Sequence, residues 1–375
     1  MKVMSDTWLC APQIFNGFSL LDNHAIQIKE GIITAILPQS EMPINAKKQS
    51  FDGIICPGFF DIQVNGGADV LFNNQPNKAG LAKISTALRQ AGTTHWLPTV
   101  ITDSPDVLTA TCDTIMENYG TMGIAGIHIE GPHIAIERRG THKSRWIRPF
   151  DDHSLTQVTK LRSRNIPVLM TVASEMMKKG EVARLVEMGV VVSIGHSNAN
   201  AETTKQTVAE GAQLFTHLFN AMSQIENRDL NVVGTAINSD RYCSIIADGF
   251  HVDLGLLGLA TRARPVADRM ILVTDAMPTV GGSDEFMLYG NKIKLENGRL
   301  INSEGSLAGA HITMLEEVRN MVQKVGQPLE TVLRMATSNP AMLIKLGGSI
   351  GKIQVGSMAD IIVISANLKT VSCVT

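Results

Sequence analysis

Eight short apolar runs recur along the chain, at residues Phe59–Asn65, His95–Ile101, Ile124–Glu130, Val168–Ala173, Val190–His196, Leu214–Asn220, Ser244–Gly249 and Met270–Ala276. Each is rich in β-branched and aliphatic residues without strict alternation, the pattern of a strand buried on both faces of a parallel sheet. Most successive starts lie about 20 to 36 residues apart, the length of a strand–helix unit. Amphipathic stretches fill the gaps. Residues Ala79 to Gln90 place Leu81, Ile84 and Leu88 near helical spacing and stop at Ala91-Gly92. Eight such units predict an α/β fold, a TIM-like (β/α)8 barrel.

The ends of the chain read differently. Ala25–Lys29 and Ile32–Ile36 alternate around Glu30-Gly31, a hairpin signal. Gly356–Asp360 leads into another strand at Ile361–Ser365. A piece this small needs a partner, so both ends are expected to join in one small β-sandwich. The predicted organisation is residues 1–56 as the first part of that domain, 57–345 as the barrel and 346–375 as its second part. After the eighth run comes an excursion from Met277 to Gly309 with a hairpin signal at Glu296-Asn297-Gly298. A helix is expected from about Thr313, with Leu315, Val318 and Val322 along one face.

The chemistry sits where the apolar runs stop. Four of them end in Glu130, His196, the Thr216-His217 pair followed by Leu218-Phe219-Asn220, and Asp275. An isolated His in an apolar run is usually a core residue bonded to a backbone carbonyl, and an isolated Glu is often a cap or half of an ion pair. Four such residues at strand ends are another matter, because in a strand–helix barrel the active site lies at the C-terminal ends of the strands. Glu130, His196 and His217 form a two-His, one-carboxylate set that leaves a position open on Zn²⁺ or a similar divalent ion. Asp275 reads either as a partner orienting a His or as a general base.

Composition narrows the alternatives. With 44% hydrophobic and 18% charged residues the chain is an ordinary globular one with ample core. A net charge of −2 gives no footprint for nucleic acid. No run approaches the ~20 apolar residues that span a bilayer, and Met1–Asp6 lacks the apolar core of a signal peptide. The five cysteines, odd in number and with no C-x-x-C, read as reduced thiols in a cytoplasm.

The first run and the segments around the later ones carry a resemblance. Cys56-Pro57-Gly58-Phe59-Phe60-Asp61-Ile62-Gln63-Val64-Asn65 resembles the opening of the amidohydrolase superfamily, Pro-Gly-x-Ile-Asp-x-His-x-His, with Gln63 and Asn65 where the metal-binding His pair would stand. That departure is similar to the N-acetylglucosamine-6-phosphate deacetylase branch, which has lost the pair. His128–Pro132, Gly140–His142, Gly195–Ala199, Thr216–Met222, Ile246–Asp253 and Leu272–Ala276 extend the resemblance in order over nearly the whole chain.

The resemblance implies hydrolysis of the acetamide of N-acetylglucosamine 6-phosphate to glucosamine 6-phosphate and acetate. It implies one divalent metal ion per subunit, zinc first, with iron, manganese or cobalt as other fits. Glu130, His196 and His217 would be the ligands and Asp275 the proton carrier. His142, beside Thr141 in a Gly-Thr-His loop, would lie against the substrate and help polarise its acetyl carbonyl. Gln63, a neutral amide and so a weak ligand, would bond a water in the space of the lost metal. Asn220 and Ala221 would offer backbone N–H groups to the phosphate, and Arg228 a cationic fork. Asp248 and His251 match the substrate segment, and Leu307, Ala308 and Gly309 the loop that approaches the sugar. His24, His95, His133, His153 and His311 match no metal role. The implied partners are a small phosphorylated amino sugar and a second copy of the chain, a homodimer in which Arg228 reaches the neighbouring site; neither nucleic acid nor membrane is implied. The rivals are the N-acetylgalactosamine 6-phosphate enzyme, a deaminase or cyclic-amide hydrolase, and a non-catalytic scaffold on the same fold. Family members continue past the strand at Ile361 with a further strand. Here the chain stops at Val371-Ser372-Cys373-Val374-Thr375, so the small domain is expected to lack an edge strand.

Overall fold

The computed structural model describes residues 7–374. Eight parallel strands form one sheet: β1 (Phe59–Val64), β2 (Thr93–Ile101), β3 (Ile127–Glu130), β4 (Val168–Val172), β5 (Val191–Ile194), β6 (Leu214–Phe215), β7 (Tyr242–Ile245) and β8 (Met270–Leu272). They follow one another in chain order, and the two ends meet at a Val64–Ala276 bridge that closes the barrel. Every strand predicted from the apolar runs is present. Alternate residues divide between two cores, as a pleated strand requires. Phe60, Ile62, Leu97, Leu169, Val191, Leu214, Ile246 and Ile271 pack with one another. The other register, including Trp96, Ile129, Met170, Val192 and Phe215, packs against the helices.

The strands are shorter at their C-terminal ends than the apolar runs suggested. β6 leaves the ladder at Phe215, where Asn220 was expected, β7 at Ile245 and β8 at Leu272. Past β6 the chain turns over the barrel mouth with Leu218 buried and Phe219 half-buried, whereas Ile246 and Val273 past β7 and β8 still pack in the barrel interior. His196, His217, Phe219, Ala221 and Asp275 all adopt positive φ, between 33° and 79°.

Strands from both ends of the chain share one sheet. Ile361–Ile364 pairs antiparallel with Ile54–Pro57, and the five-stranded sheet runs from Val371–Cys373 at one edge to Leu20–Asp22 at the other. A four-stranded sheet, centred on Thr7–Cys10 and His24–Lys29, packs on it through Leu9, Ile26, Ile28 and Ile33 against Ile14, Ile55 and Ile361. The expected loss of an edge strand is overturned. Val371–Cys373 itself turns back through a Ser365–Thr370 loop and pairs with Ile361–Ile364. The two hairpin signals hold: Glu30-Gly31 and Asn297-Gly298 both sit at positive φ between paired strands.

The excursion after β8 forms a three-stranded sheet, Glu285–Leu288, Asn291–Glu296 and Arg299–Ile301. The Tyr289 hydroxyl donates to the Thr102 carbonyl just past β2, and Arg139 pairs with Glu304, so this excursion is fastened to the loops after β2 and β3. The helix α1 (Met314–Gln323) follows, opened by a Thr313–Glu316 capping box. All five cysteines are free. No helix among the described residues is long and apolar enough to cross a membrane.

Candidate metal centre and active site

Glu130 is the last residue of β3, and His196 and His217 lie two residues past the ends of β5 and β6. Their donor atoms converge. Glu130 Oε1 is 3.0 Å from His217 Nε2 and 3.3 Å from His196 Nε2, and the two Nε2 atoms are 3.1 Å apart. All three residues are at most 5% exposed. The spacing suits metal ligands: donors about 2.0–2.1 Å from a tetrahedral ion stand about 3.3–3.4 Å from one another. The His196 Nδ1 N–H donates to the Arg138 carbonyl at 2.8 Å, which turns the Nε2 lone pair toward the cluster, the usual orientation device for a ligating His. Three lone-pair-bearing atoms this close repel one another unless a proton or a cation lies among them. Two imidazoles and a carboxylate suit Zn²⁺, Fe²⁺, Mn²⁺ or Co²⁺.

The electrostatics agree. Burial alone would raise the Glu130 carboxyl, but hydrogen bonds from His196 and His217 overcome it and hold the group well below the usual range. For His217, burial opposes protonation and Glu130 outweighs it, so its pKa is raised. The trio attracts positive charge.

A second histidine competes for the third position. His142, reached through the Gly140-Thr141 turn, has its ring centre 4.5 Å from that of His196, tilted by 51°, and lies with Glu130 and His196 in a set whose donor atoms are all within 4.8 Å. The trio with His217 has all its donor atoms within 3.3 Å of one another and is taken as the cage. The His142 Nδ1 faces the Thr102 hydroxyl at 2.7 Å, and burial, reinforced by His196, drives the ring down to about 3. His142 is therefore neutral.

Asp275 follows β8 and is partly open to the pocket. Its Oδ1 accepts from Asn65 Nδ2 at 2.6 Å and from Gln63 Nε2 at 3.2 Å. Enclosure by protein pushes its carboxyl up to about 6, and the nearby Glu130 charge adds to the rise. Gln63 Nε2 also donates to Glu130 Oε1 at 3.0 Å. This side chain joins the two carboxylates, and its amide hydrogens offset their mutual repulsion.

This barrel, cluster and departure at Gln63 and Asn65 bear comparison with known proteins. The model of the amidohydrolase family matches residues 54–374, and that of the NagA composite domain residues 9–55. The chain belongs to the amidohydrolase family. This amidohydrolase is 35% identical to the N-acetylgalactosamine-6-phosphate deacetylase of a Shewanella species, over 96% of the chain and 93% of the relative. It is 32% identical to the N-acetylglucosamine-6-phosphate deacetylase of Haemophilus influenzae, over 96% of each. Among solved structures it matches the N-acetylglucosamine-6-phosphate deacetylase of Pasteurella multocida with a TM-score of 0.92 at 32% identity, covering 98% of this chain and 97% of that one. An Asp-to-Ala mutant of the Mycobacterium smegmatis deacetylase, in complex with N-acetyl-D-glucosamine-6-phosphate, matches with a TM-score of 0.89 at 26% identity, over 99% and 100% of the two chains.

The amidohydrolase brings most of the sequence-derived site together. Thr141, His142, Asn220, Ala221, His251, Leu307 and Gly309 line one pocket with Glu130, His196, His217 and Asp275. Ala308 and Asp248 do not line the pocket. Ala308 is wholly buried and packs with Leu71 and Ile101 behind the pocket. Asp248 faces His251, accepting from its Nδ1 at 2.6 Å and from the backbone N–H groups of residues 250 and 251; it fixes that ring's direction. Arg228 lies outside this pocket, in a surface groove with Glu202, Lys205 and Leu230. Gly309 has φ of 68°, and a Cβ there would meet Met277 and the Asp275 carbonyl at 2.9 Å or less, so glycine lets the loop close on Asp275. His24, His95, His133, His153 and His311 all bond protein groups away from the cluster. The sequence reading missed Arg138, which lines the pocket and orients His196, and Thr102, which holds His142. Thr102 carried a usable signal, a polar residue just past an apolar run. Arg138 carried none, because its part is played by a backbone carbonyl.

The competition between His217 and His142 is open to measurement. His217→Asn should lower the metal retained after dialysis against a weak chelator from about one equivalent per chain to well below half, while His142→Asn should keep it near one. Elemental analysis of the two variants checks this; the reverse ranking would make His142 the third ligand.

Proposed function

We propose that this amidohydrolase hydrolyses the acetamide of N-acetylglucosamine 6-phosphate, releasing glucosamine 6-phosphate and acetate. The observation that carries the reading is the meeting of a two-His, one-carboxylate cluster and a carboxylate of raised pKa in one pocket, in a chain whose relatives over nearly their full lengths are amino-sugar phosphate deacetylases. Glu130, His196 and His217 would hold a divalent ion, zinc in this reading, which would supply a water of lowered pKa and polarisation of the carbonyl. The residues do the rest. Asp275, with Oδ1 held by Asn65 and Gln63, presents Oδ2 to take the proton of the attacking water. It then gives that proton to the departing amine, as one group serving first as base and then as acid. With the Thr102 hydroxyl donating to Nδ1, His142 carries its ring proton on Nε2 and donates it to the acetyl oxygen.

The other half of the pocket suits the sugar phosphate. The backbone N–H of Ala221 offers a donor to the phosphate beside His251, whereas the Asn220 N–H, expected in the same role, is already given to the His217 carbonyl; Thr141, Leu307 and Gly309 border the ring. Arg228, which lies outside its own pocket, would serve the site of a partner in a homodimer. The five free cysteines support a reducing, cytoplasmic setting. The same reading divides the chain at residues 1–56, 57–345 and 346–375. The N-acetylgalactosamine 6-phosphate activity stands as the second reading, favoured by the 35% identity to the Shewanella enzyme. Acetate release from both sugar phosphates, with and without chelator, separates the two. No chelator-sensitive release from either would sink the deacetylase reading.

Asp275→Asn should keep the fold and the metal but lose turnover by about 10² to 10⁴-fold, since an amide cannot accept the proton; a variant with more than about a third of wild-type kcat removes Asp275 from the role. Arg228→Ala should raise KM for the phosphorylated sugar by about 10- to 100-fold while leaving the unphosphorylated sugar little changed. Mixed with Asp275→Asn subunits, it should regain activity through hybrid dimers that contain one intact site. Failure at every mixing ratio would mean that the arginine acts within its own subunit or not at all.

A further inference from the structure

The barrel has a weak seam. β1 and β8 share no continuous ladder; apart from the Val64–Ala276 bridge and the bonds from the N–H groups of Asn65 and Gly66 to the Ala276 carbonyl, the two strands are not paired. Both flank the site, β1 carrying Gln63 and leading to Asn65, β8 leading to Asp275. Below the bridge the backbone N–H of Thr274 has no strand partner on the β1 side and needs one, since an unpaired buried N–H is costly.

Asp61 supplies it. Its side chain is fully buried. Its two oxygens lie 3.3 and 3.4 Å from the Thr274 backbone nitrogen, and Oδ2 accepts the Thr274 hydroxyl at 2.5 Å. Oδ1 also accepts from the Gln63 backbone N–H at 3.1 Å. The Thr274 hydroxyl in turn accepts from the Ala276 N–H at 3.2 Å. One carboxylate therefore grips the residue before Asp275 and the residue whose amide bonds Asp275. Its partners are neutral donors, so it is not half of an ion pair. It is not needed to hold the metal trio, which hangs from β3, β5 and β6.

The grip has something to hold. Asp275 sits at φ 50°, a backbone state that is strained for a non-glycine residue and persists only where its surroundings enforce it. On the downstream side, Ala310 N–H donates to the Asp275 carbonyl. On the upstream side, the anchor is Asp61 through Thr274.

We propose that Asp61 is a positioning residue for Asp275: its carboxylate, bonded to Thr274 and to Gln63, closes the β1–β8 seam and sets the angle at which Asp275 enters the pocket. This rests on the reading of Asp275 as the proton carrier. The link is carried by the Thr274 hydroxyl, so Asp61 and Thr274 act as one unit.

The test uses full-length enzyme and steady-state acetate release together with metal content. Asp61→Asn, which replaces one of the two accepting oxygens with a donor amide and so leaves the Thr274 or the Gln63 N–H facing a donor, and Thr274→Val, which removes the hydroxyl but keeps the shape, should each lower kcat by at least about tenfold. KM should stay within about threefold and metal near one per chain, a split that general destabilisation does not give. Thr274→Ser, which keeps the hydroxyl, should retain at least about a third of wild-type kcat. The double variant Asp61→Asn/Thr274→Val should be no worse than about twofold below the poorer single, because both remove the same link. Losses under tenfold, multiplicative losses in the double variant, equal damage in Thr274→Ser and Thr274→Val, or metal lost in step with activity would each overturn the proposal. Should Asp61→Asn fail to fold, the two Thr274 variants decide alone. Asp275→Asn run alongside tells the two claims apart. If it is inactive while Asp61→Asn and Thr274→Val are near wild type, only the positioning claim falls; if it is active, the proton-carrier reading falls first.

Discussion

A carboxylate oxygen and two imidazole nitrogens held within 3.3 Å of one another, on side chains almost wholly buried, repel unless positive charge lies among them. Much of the structure follows from holding that arrangement in place. The three groups come from three strands, so their spacing depends on the barrel's register, and register depends on filling its interior with Phe60, Ile62, Leu97, Leu169, Val191, Leu214 and Ile271. Between that apolar filling and the cluster lies a layer of buried hydroxyls. Thr171 bonds Thr216 and His128, and Thr216 bonds Ser193, so neighbouring strands are tied by side chains beneath the site. Burial drives His128 down to about 4, which leaves it neutral and able to pass a hydrogen bond from one threonine to the next without placing a second cation under the metal position.

The same demand explains where the backbone is unusual. His196, His217 and Asp275 each occupy the left-handed region just past the last ladder bond of their strands. A side chain in register with the pleat would point to the core or to the helices; one sharp turn aims it across the mouth instead. Such turns are costly for non-glycine residues and are kept where surrounding bonds over-determine them. The Arg138 carbonyl does this for the His196 ring, the Ser244 hydroxyl accepts the His217 N–H, and Thr274 and Ala310 flank Asp275.

The barrel was legible in the sequence because strands buried on both faces must be apolar throughout, and eight such runs stood apart from the helical stretches between them. The ligand candidates were legible for a related reason: a charged or ionisable residue ending an apolar run has few roles there other than a site. What could not be read was how each run ends. Leu218 and Phe219 continue the apolar pattern past Phe215, yet the chain has already turned at His217. Apolar composition reports burial, and Leu218, folded over the barrel mouth, is as buried as the residues in its wall. Gln63 marks the same limit from the other side. Its identity announced a lost ligand, but only the geometry shows its amide set between Glu130 and Asp275. The edge strand at Val371–Cys373 was hidden because three residues paired on one side carry too little pattern to stand out.

The central claim is that one ion, held by one cluster, suffices. The direct measurement is a reconstitution titration. Metal is stripped with a strong chelator, Zn²⁺ is added back in steps, and acetate release is followed at each step. The account predicts activity that rises linearly and saturates at about one equivalent per chain, because Gln63 and Asn65 offer only neutral amides in place of imidazoles. Activity that appears only with a second equivalent, or that survives complete removal of metal, would contradict it.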